Sequence, residues 1–180
     1  MTDIFSKYQT EVVSKLKEEF DLKNDLAVPF LEKIVINTGT ADAITNKEVI
    51  GKVKDQLAQI SGQQPRVTKA KKAISSFKLQ KGDIIGVAVT LRSKRAWHFL
   101  EKLISIIIPR MRDFRGIPQS KFDKFGNFTF GFTEQIVFPE IDYSKIDKIR
   151  GLSVTIVIKN SDIEKSKRFF EHLGLPLQKK

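Results

Sequence analysis

Between Gln56 and Leu100 nine basic side chains (Arg66, Lys69, Lys71, Lys72, Lys78, Lys81, Arg92, Lys94 and Arg95) stand against a single acid, Asp83. That stretch carries +8 of the chain's formal charge of +11, a concentration that implies a polyanionic partner. Within it, Ile60 to Gly82 reads ISGQQPRVTKAKKAISSFKLQKG. Its residue types suit nucleic acid: cations for phosphates, hydroxyls and amides for sugars and base edges, and one ring, Phe77, for stacking. Arg66 and Arg92 are the expected backbone anchors, because a planar guanidinium holds two phosphate oxygens at once.

Other residues capable of chemistry do not assemble by spacing. The chain has no cysteine, which removes disulfides, thiolate nucleophiles and Cys-based zinc sites and fits a reducing compartment. His98 and His172 are far apart and match neither HxxxH nor HExxH, so helix-surface or core positions are expected for them. Glu134, Glu140 and Asp142 are the best carboxylate set for a metal-dependent nuclease. Their segment also holds Pro139 and Tyr143, however, and reads as a connection. Thr38-Gly39-Thr40-Ala41 lacks the lysine of a phosphate loop. The expectation is a non-enzymatic chain with no cofactor, no metal and no small-molecule substrate.

No signal-peptide pattern and no run of about 18 apolar residues occurs, so the chain is expected to be soluble and cytoplasmic. A basic membrane-surface protein would need a spare amphipathic helix, and none is evident.

The elements that must carry the basic segment follow from periodicity. A helix is predicted over Thr2 to Phe20, with Phe5, Tyr8, Val12, Leu16 and Phe20 as its stripe. KIVINTG, 33–39, reads as a strand. A second helix follows, with Thr45 and Glu48 as a capping box, Val49, Val53, Leu57 and Ile60 on one face, and Gly62 as its stop. Gln63 to Thr68 reads as extended, residues 69–82 as a basic loop or hairpin arm, and Ile84 to Arg92 as the clearest strand. Ser93 is expected to cap a third helix bearing Trp97, Leu100, Ile104, Ile107 and Met111, which Pro109 should kink or end. Residues 114–138 form a turn-rich extension that becomes strand-like near Phe128. Leu152 to Lys159 is another strand, and Ser161 with Glu164 opens a last helix burying Ile163, Phe170 and Leu173 up to Gly174. Strands separated by helices without a steady βαβ period predict one α+β domain over 1–180: a mostly antiparallel sheet with helices on one face and the other face open for RNA.

Strand side chains alternate between faces. Ile85, Val87, Val89 and Leu91 are the expected core set of the clearest strand, leaving Gly86, Ala88, Thr90 and Arg92 on the other side. Asn37 and Thr90 fall on the face of small, hydrogen-bonding groups, where backbone is expected to stay accessible to RNA. Any half-exposed antiparallel sheet alternates this way; small residues flanked by the most basic stretch point instead to docking. The run FGNFTFGF, 125–132, resembles the aromatic strand of an RNA-recognition motif, but the partner aromatic strand is missing. Core phenylalanines or a subunit-contact loop are the stronger readings.

The segments IVINTG, ISGQQPRVTKAKKAISSFKLQKG, VTLRSKRAWHFLEKL, IPRMRDFRGIP and GNFTFGFTEQIVFPEIDYSKIDKIRGL, with the C-terminal strand and helix, resemble in order the bacterial form of the 5S-rRNA-binding protein family of the large ribosomal subunit, the fifth in the large-subunit numbering. The resemblance implies a structural RNA-binding protein of the central protuberance. It places 5S rRNA contacts on Asn37, Gln63 and Thr90; Arg66 and Arg92, the expected phosphate anchors, and Thr68 complete the expected 5S rRNA set. The arm, with Lys69, Lys71, Lys72, Ser75, Ser76, Phe77, Lys78 and Lys81, would reach toward P-site tRNA. Arg112, Arg115, Phe125 and Phe128 fall in the region facing a small-subunit head protein across an intersubunit bridge. Large-subunit rRNA and the neighbouring 5S-binding ribosomal proteins are the remaining implied partners, and no membrane is. An extra-ribosomal RNA chaperone of RNA-recognition type is the alternative.

Overall fold

Five strands, β1 (Phe30–Gly39), β2 (Arg66–Lys69), β3 (Ile84–Arg92), β4 (Phe128–Phe132) and β5 (Leu152–Lys159), form one sheet in the order β2-β3-β1-β5-β4. The computed structural model describes residues 3–40, 42, 48–111, 116, 118, 121–142, 146–175, 177 and 178. The expected α+β class with an antiparallel sheet is what it shows. Alternation decides the faces: on β5, Leu152, Val154, Ile156 and Ile158 are buried, while Ser153, Thr155 and Val157 are half-buried and Lys159 is exposed. Contacts divide the chain into two compact units, residues 1–34, 92–130 and 155–180 in the first and 35–91 and 131–154 in the second.

In the first unit the N-terminal helix has three segments, α1 (Ile4–Lys7), a π-helical stretch over Tyr8–Val12, and α2 (Val13–Glu19). Asp3 caps it by accepting from the Phe5 N–H at 3.2 Å. Its buried stripe is Ile4, Tyr8, Val12 and Leu16, while Phe5 and Phe20, expected on it, are half-buried. The Tyr8 hydroxyl donates to the Pro29 carbonyl at 2.9 Å, and burial pushes its pKa up to about 12. Tyr8 also packs at 5.0 Å from Trp97 and 5.8 Å from Phe169, ring centre to ring centre. Each such ring contributes about 1.5–3 kcal/mol by leaving water.

Helix α4 (Ser93–Lys102) widens into a π-helical stretch, Leu103–Ile107, and finishes as α5 (Ile108–Arg110). Pro109 therefore does not break the helix at once. It has no N–H to donate and its ring crowds the preceding turn; the Ile108 N–H bonding back to the Leu103 carbonyl opens that turn, and the helix stops after Arg110. Ile104 and Met111, expected on the core side, are only half-buried. Ser93 is not a cap: it is the first helical residue, at φ +49°, and among the described residues no side chain caps this end. Nor does Ser161 cap α6 (Ile163–Leu173). Asp162 does, accepting from the Lys165 N–H at 2.9 Å, which shifts the register and leaves Ile163 exposed while Phe169, Phe170 and Leu173 are buried.

In the second unit α3 (Glu48–Ser61) buries Val49, Ile50, Val53, Leu57 and Ile60 and ends at Gly62, whose φ of +64° suits a residue without Cβ. Thr45, the expected cap, lies outside the described residues. Val53, Leu57 and Ile60 line the same cleft as Thr38 and Leu152, which puts α3 over the apolar side of the strands. Strands β2 and β3 pair antiparallel, Arg66 with Ala88, Val67 with Val87 and Thr68 with Gly86. Lys69 then pairs with Ile84, and the extra β3 residue is Ile85. This bulge corrects the alternation: Ile85, expected in the core, is 37% exposed.

Candidate nucleic-acid interface

The polar side of the second unit is built by three local devices. On β1 the buried residues Ile36 and Thr38 fix the strand's phase, so Asn37 between them is exposed. Thr38 holds that phase through its hydroxyl, which donates to the Gly151 carbonyl at 2.8 Å. Gln63 follows the left-handed Gly62, and Ser61 closes the turn by donating to the Leu57 carbonyl at 2.7 Å. The Gln63 carboxamide thereby reaches β3 and donates to the Thr90 carbonyl at 3.1 Å. Gln63 and Thr90, both half-buried, are brought together, while Asn37 stands on the strand next to β3.

Arg66 and Thr68 share a face with Thr90, because cross-strand partners lie on the same side and their partners Ala88 and Gly86 stand two and four residues from Thr90 on β3. Arg66 is exposed and Thr68 half-buried. The smallness of this face needs a different reason from the one expected. Gly86 and Ala88 are buried, and a Cβ on Gly86 would sit 2.5 Å from the Thr38 carbonyl oxygen and 3.1 Å from the Thr68 hydroxyl. Glycine is needed here by the close approach of β1, not to leave backbone accessible to RNA.

The arm is a hairpin extension with defined ends. At its base the Ala70 N–H donates to the Asp83 carbonyl at 2.8 Å and the Gly82 N–H to the Ala70 carbonyl at 3.0 Å. Nearer the tip Ile74 and Leu79 exchange backbone bonds of 2.9 and 3.1 Å around a short 3-10 turn, Ser75–Phe77, which Lys78 closes at φ +51°. Asp83, the one acid of the basic stretch, accepts from the Gln80 N–H at 2.7 Å and so serves the turn. Lys69, Lys71, Lys72, Ser75, Ser76, Lys78 and Lys81 are all exposed, and Phe77 is 73% exposed. A bare ring among cations is poor packing and good stacking surface.

In the first unit Arg92 is exposed and sits 3.6 Å from Glu32, an exposed pairing of small net worth. Phe125 is exposed beneath the Lys124 ammonium. Phe128 has to be removed from the bridge set: it is 1% exposed and packs on Phe122, Phe130 and Phe170 at 5.2, 6.2 and 5.7 Å. β4 turns Phe128 and Phe132 inward together, which also removes the resemblance to an RNA-recognition motif. Arg112 and Arg115 lie outside the described residues. Among the described residues no three His, Asp or Glu side chains are grouped to hold a metal ion, and Glu134, Glu140 and Asp142 are not gathered into such a group.

Sequence reasoning missed a polar network under the second unit's connections. Arg150, buried, donates to both carboxylate oxygens of Asp147 at 2.8 and 3.1 Å. Those bonds hold the Asp147 pKa down to about 2. The Gln135 side chain donates to the Lys148 carbonyl at 2.9 Å and accepts from the Arg150 N–H, and Lys148 pairs with Asp42 at 2.8 Å, lowering the Asp42 carboxyl. The one sequence signal was Thr38 and Thr40 at core-phase positions of a strand end.

A family model described as ribosomal protein L5 matches residues 24–80, and one described as the C-terminus of the ribosomal L5 family matches residues 84–177. The large ribosomal subunit protein uL5 of Oceanobacillus iheyensis is 44% identical over 179 residues, covering 99% of this chain and 100% of that one. Those of Symbiobacterium thermophilum and Caldanaerobacter subterraneus subsp. tengcongensis are each 48% identical, the first over 98% of both chains and the second over 99% of this chain and 100% of its own. Matched end to end and in order, with a basic arm and a polar sheet face where binding was expected, the chain belongs to the ribosomal protein L5 family, non-enzymatic rRNA-binding components of the large ribosomal subunit.

Proposed function

We propose that the chain, a structural protein of the large ribosomal subunit, holds 5S rRNA in the central protuberance against the polar side of its sheet. Asn37 and the Thr90 hydroxyl would meet sugar and base edges, Arg66 and Arg92 would anchor phosphates, and Gln63 would keep Thr90 in place. The arm would extend toward P-site tRNA, with Phe77 and the surrounding lysines as its contacts. The region around Phe125, Arg112 and Arg115 would face the small-subunit head. The observation that carries this reading is the exposure of Asn37 and Arg66 beside a basic stretch whose one acid, Asp83, is committed to the arm's own turn.

Titration with 5S rRNA over a range of salt tests the reading. Neutralising about five phosphates gives a log-affinity against log-salt slope of about −3.5 to −4.5. Co-migration with large subunits through high salt is expected in sedimentation. A salt-independent affinity, or dispersal among small RNAs, would overturn the reading.

A further inference from the structure

The first unit carries a polar sheet surface of its own. On β5, Thr155, Val157 and Lys159 alternate with the buried Ile156 and Ile158. Thr129 of β4 is exposed, and its hydroxyl lies 3.1 Å from that of Thr155. Lys33 on β1 and Arg92 on β3 add cations; Glu32 lies 3.2 Å from Lys33 and 3.6 Å from Arg92, and the exposed Asp123 carboxylate accepts from Asn127, whose side chain in turn accepts from the Ile158 N–H. The large exposed apolar residues of this unit, Leu26, Phe30, Ile106, Phe125 and Ile163, come from other positions.

We infer that the Thr129–Thr155 hydroxyl pair, with Lys33 and Lys159, is a ribose-phosphate contact for RNA. Two hydroxyls side by side each donate and accept, as a ribose 2′-OH does. Lys159, on the same strand and face as Thr155, and Lys33, on the neighbouring β1, supply the phosphate attraction. A protein partner would need apolar anchors at its centre, and among the described residues of these strands' polar side in this unit only Val157 is offered, half-buried. The inference rests on the RNA-binding reading above and extends its footprint to residues to which that reading gives no role.

The test is a titration of 5S rRNA with four proteins: wild type, Thr90→Lys, Thr129→Val/Thr155→Val and Thr129→Ser/Thr155→Ser. Valine keeps the shape and strand preference and removes both hydroxyls; serine restores them. About tenfold weaker binding is expected for the double valine variant, from two lost hydrogen bonds, with an unchanged salt slope and recovery in the double serine variant. Lys33→Gln/Lys159→Gln should instead flatten the slope by about 1.4–1.8. Wild-type affinity in the double valine variant while Thr90→Lys is weakened would overturn this inference and leave the proposed function standing. No effect of either Thr90→Lys or the double valine variant would sink both. Loss without recovery by serine marks a packing role and also overturns it.

Discussion

Gly86→Ala separates two explanations for the small face of β3. The added Cβ would sit 2.5 Å from the Thr38 carbonyl oxygen and 3.4 Å from the Gly39 Cα. An ordinary carbon–oxygen contact is about 0.7 Å longer than the first distance, and the obstacle is backbone, which cannot rotate away as a side chain can. Thr38 is tied to Gly151 through its side chain, so β1 cannot yield alone. Overpacking costs about 1–3 kcal/mol, and a backbone obstacle belongs at the upper end. At about 2–4 °C per kcal/mol for a chain of this size, the melting temperature should fall by about 4–12 °C, read by circular dichroism without RNA. A melting temperature within about 2 °C of wild type, with weakened 5S rRNA binding, would refute the packing argument and return Gly86 to a docking role.

Four further outcomes follow from the same geometry. Thr40→Val should raise stability by about 1 kcal/mol, since the buried Thr40 hydroxyl has no hydrogen-bond partner among the described residues; urea denaturation checks it. Asp147 has a depressed folded pKa, so its contribution is present above the ordinary carboxylate value near 3.8 and is lost as pH falls toward about 2. Its side chain being 26% exposed, Asp147→Asn should cost about 1–2 kcal/mol at pH 7, a small part of that at pH 2 and nothing well below it, which stability measured against pH will show. Phe128→Ala should cost about 3–5 kcal/mol in thermal unfolding while Phe125→Ala changes stability by less than about 0.5. Lys71→Gln/Lys72→Gln should leave melting unchanged and weaken binding of a tRNA elbow in a gel-shift titration.

Where one strand's own alternation decided burial, the sequence was readable: β5 and Ile34, Ile36 and Asn37 of β1 fall on the faces their phase predicts. The α3 stripe and its stop at Gly62 were equally legible, because periodicity and the left-handed end are local properties. Ile85 was not, since its exposure comes from a register shift between two strands, and a single strand's pattern carries no record of its partner's count. Gly86 was seen as small, but the carbonyl that demands it belongs to a strand some fifty residues earlier in the chain. The aromatic run at 125–132 showed that Phe128 and Phe132 share a side without showing which; three neighbouring rings decided for the core. Gln63 was placed among the RNA contacts by resemblance, and its bond to Thr90 adds a positioning role that no spacing encodes. The Arg150 network joins residues from widely separated segments, with only Thr38 and Thr40 hinting at buried polarity.

The most direct measurement is the affinity of Asn37→Ala, Thr90→Lys and their combination for 5S rRNA at one fixed salt concentration, with melting temperatures recorded alongside. Asn37→Ala should bind about fivefold more weakly, from the loss of about 1 kcal/mol of hydrogen bonding, and the combination more than tenfold more weakly, all with wild-type stability. Undiminished binding by the combined variant would contradict the claim that this side of the sheet lies on RNA.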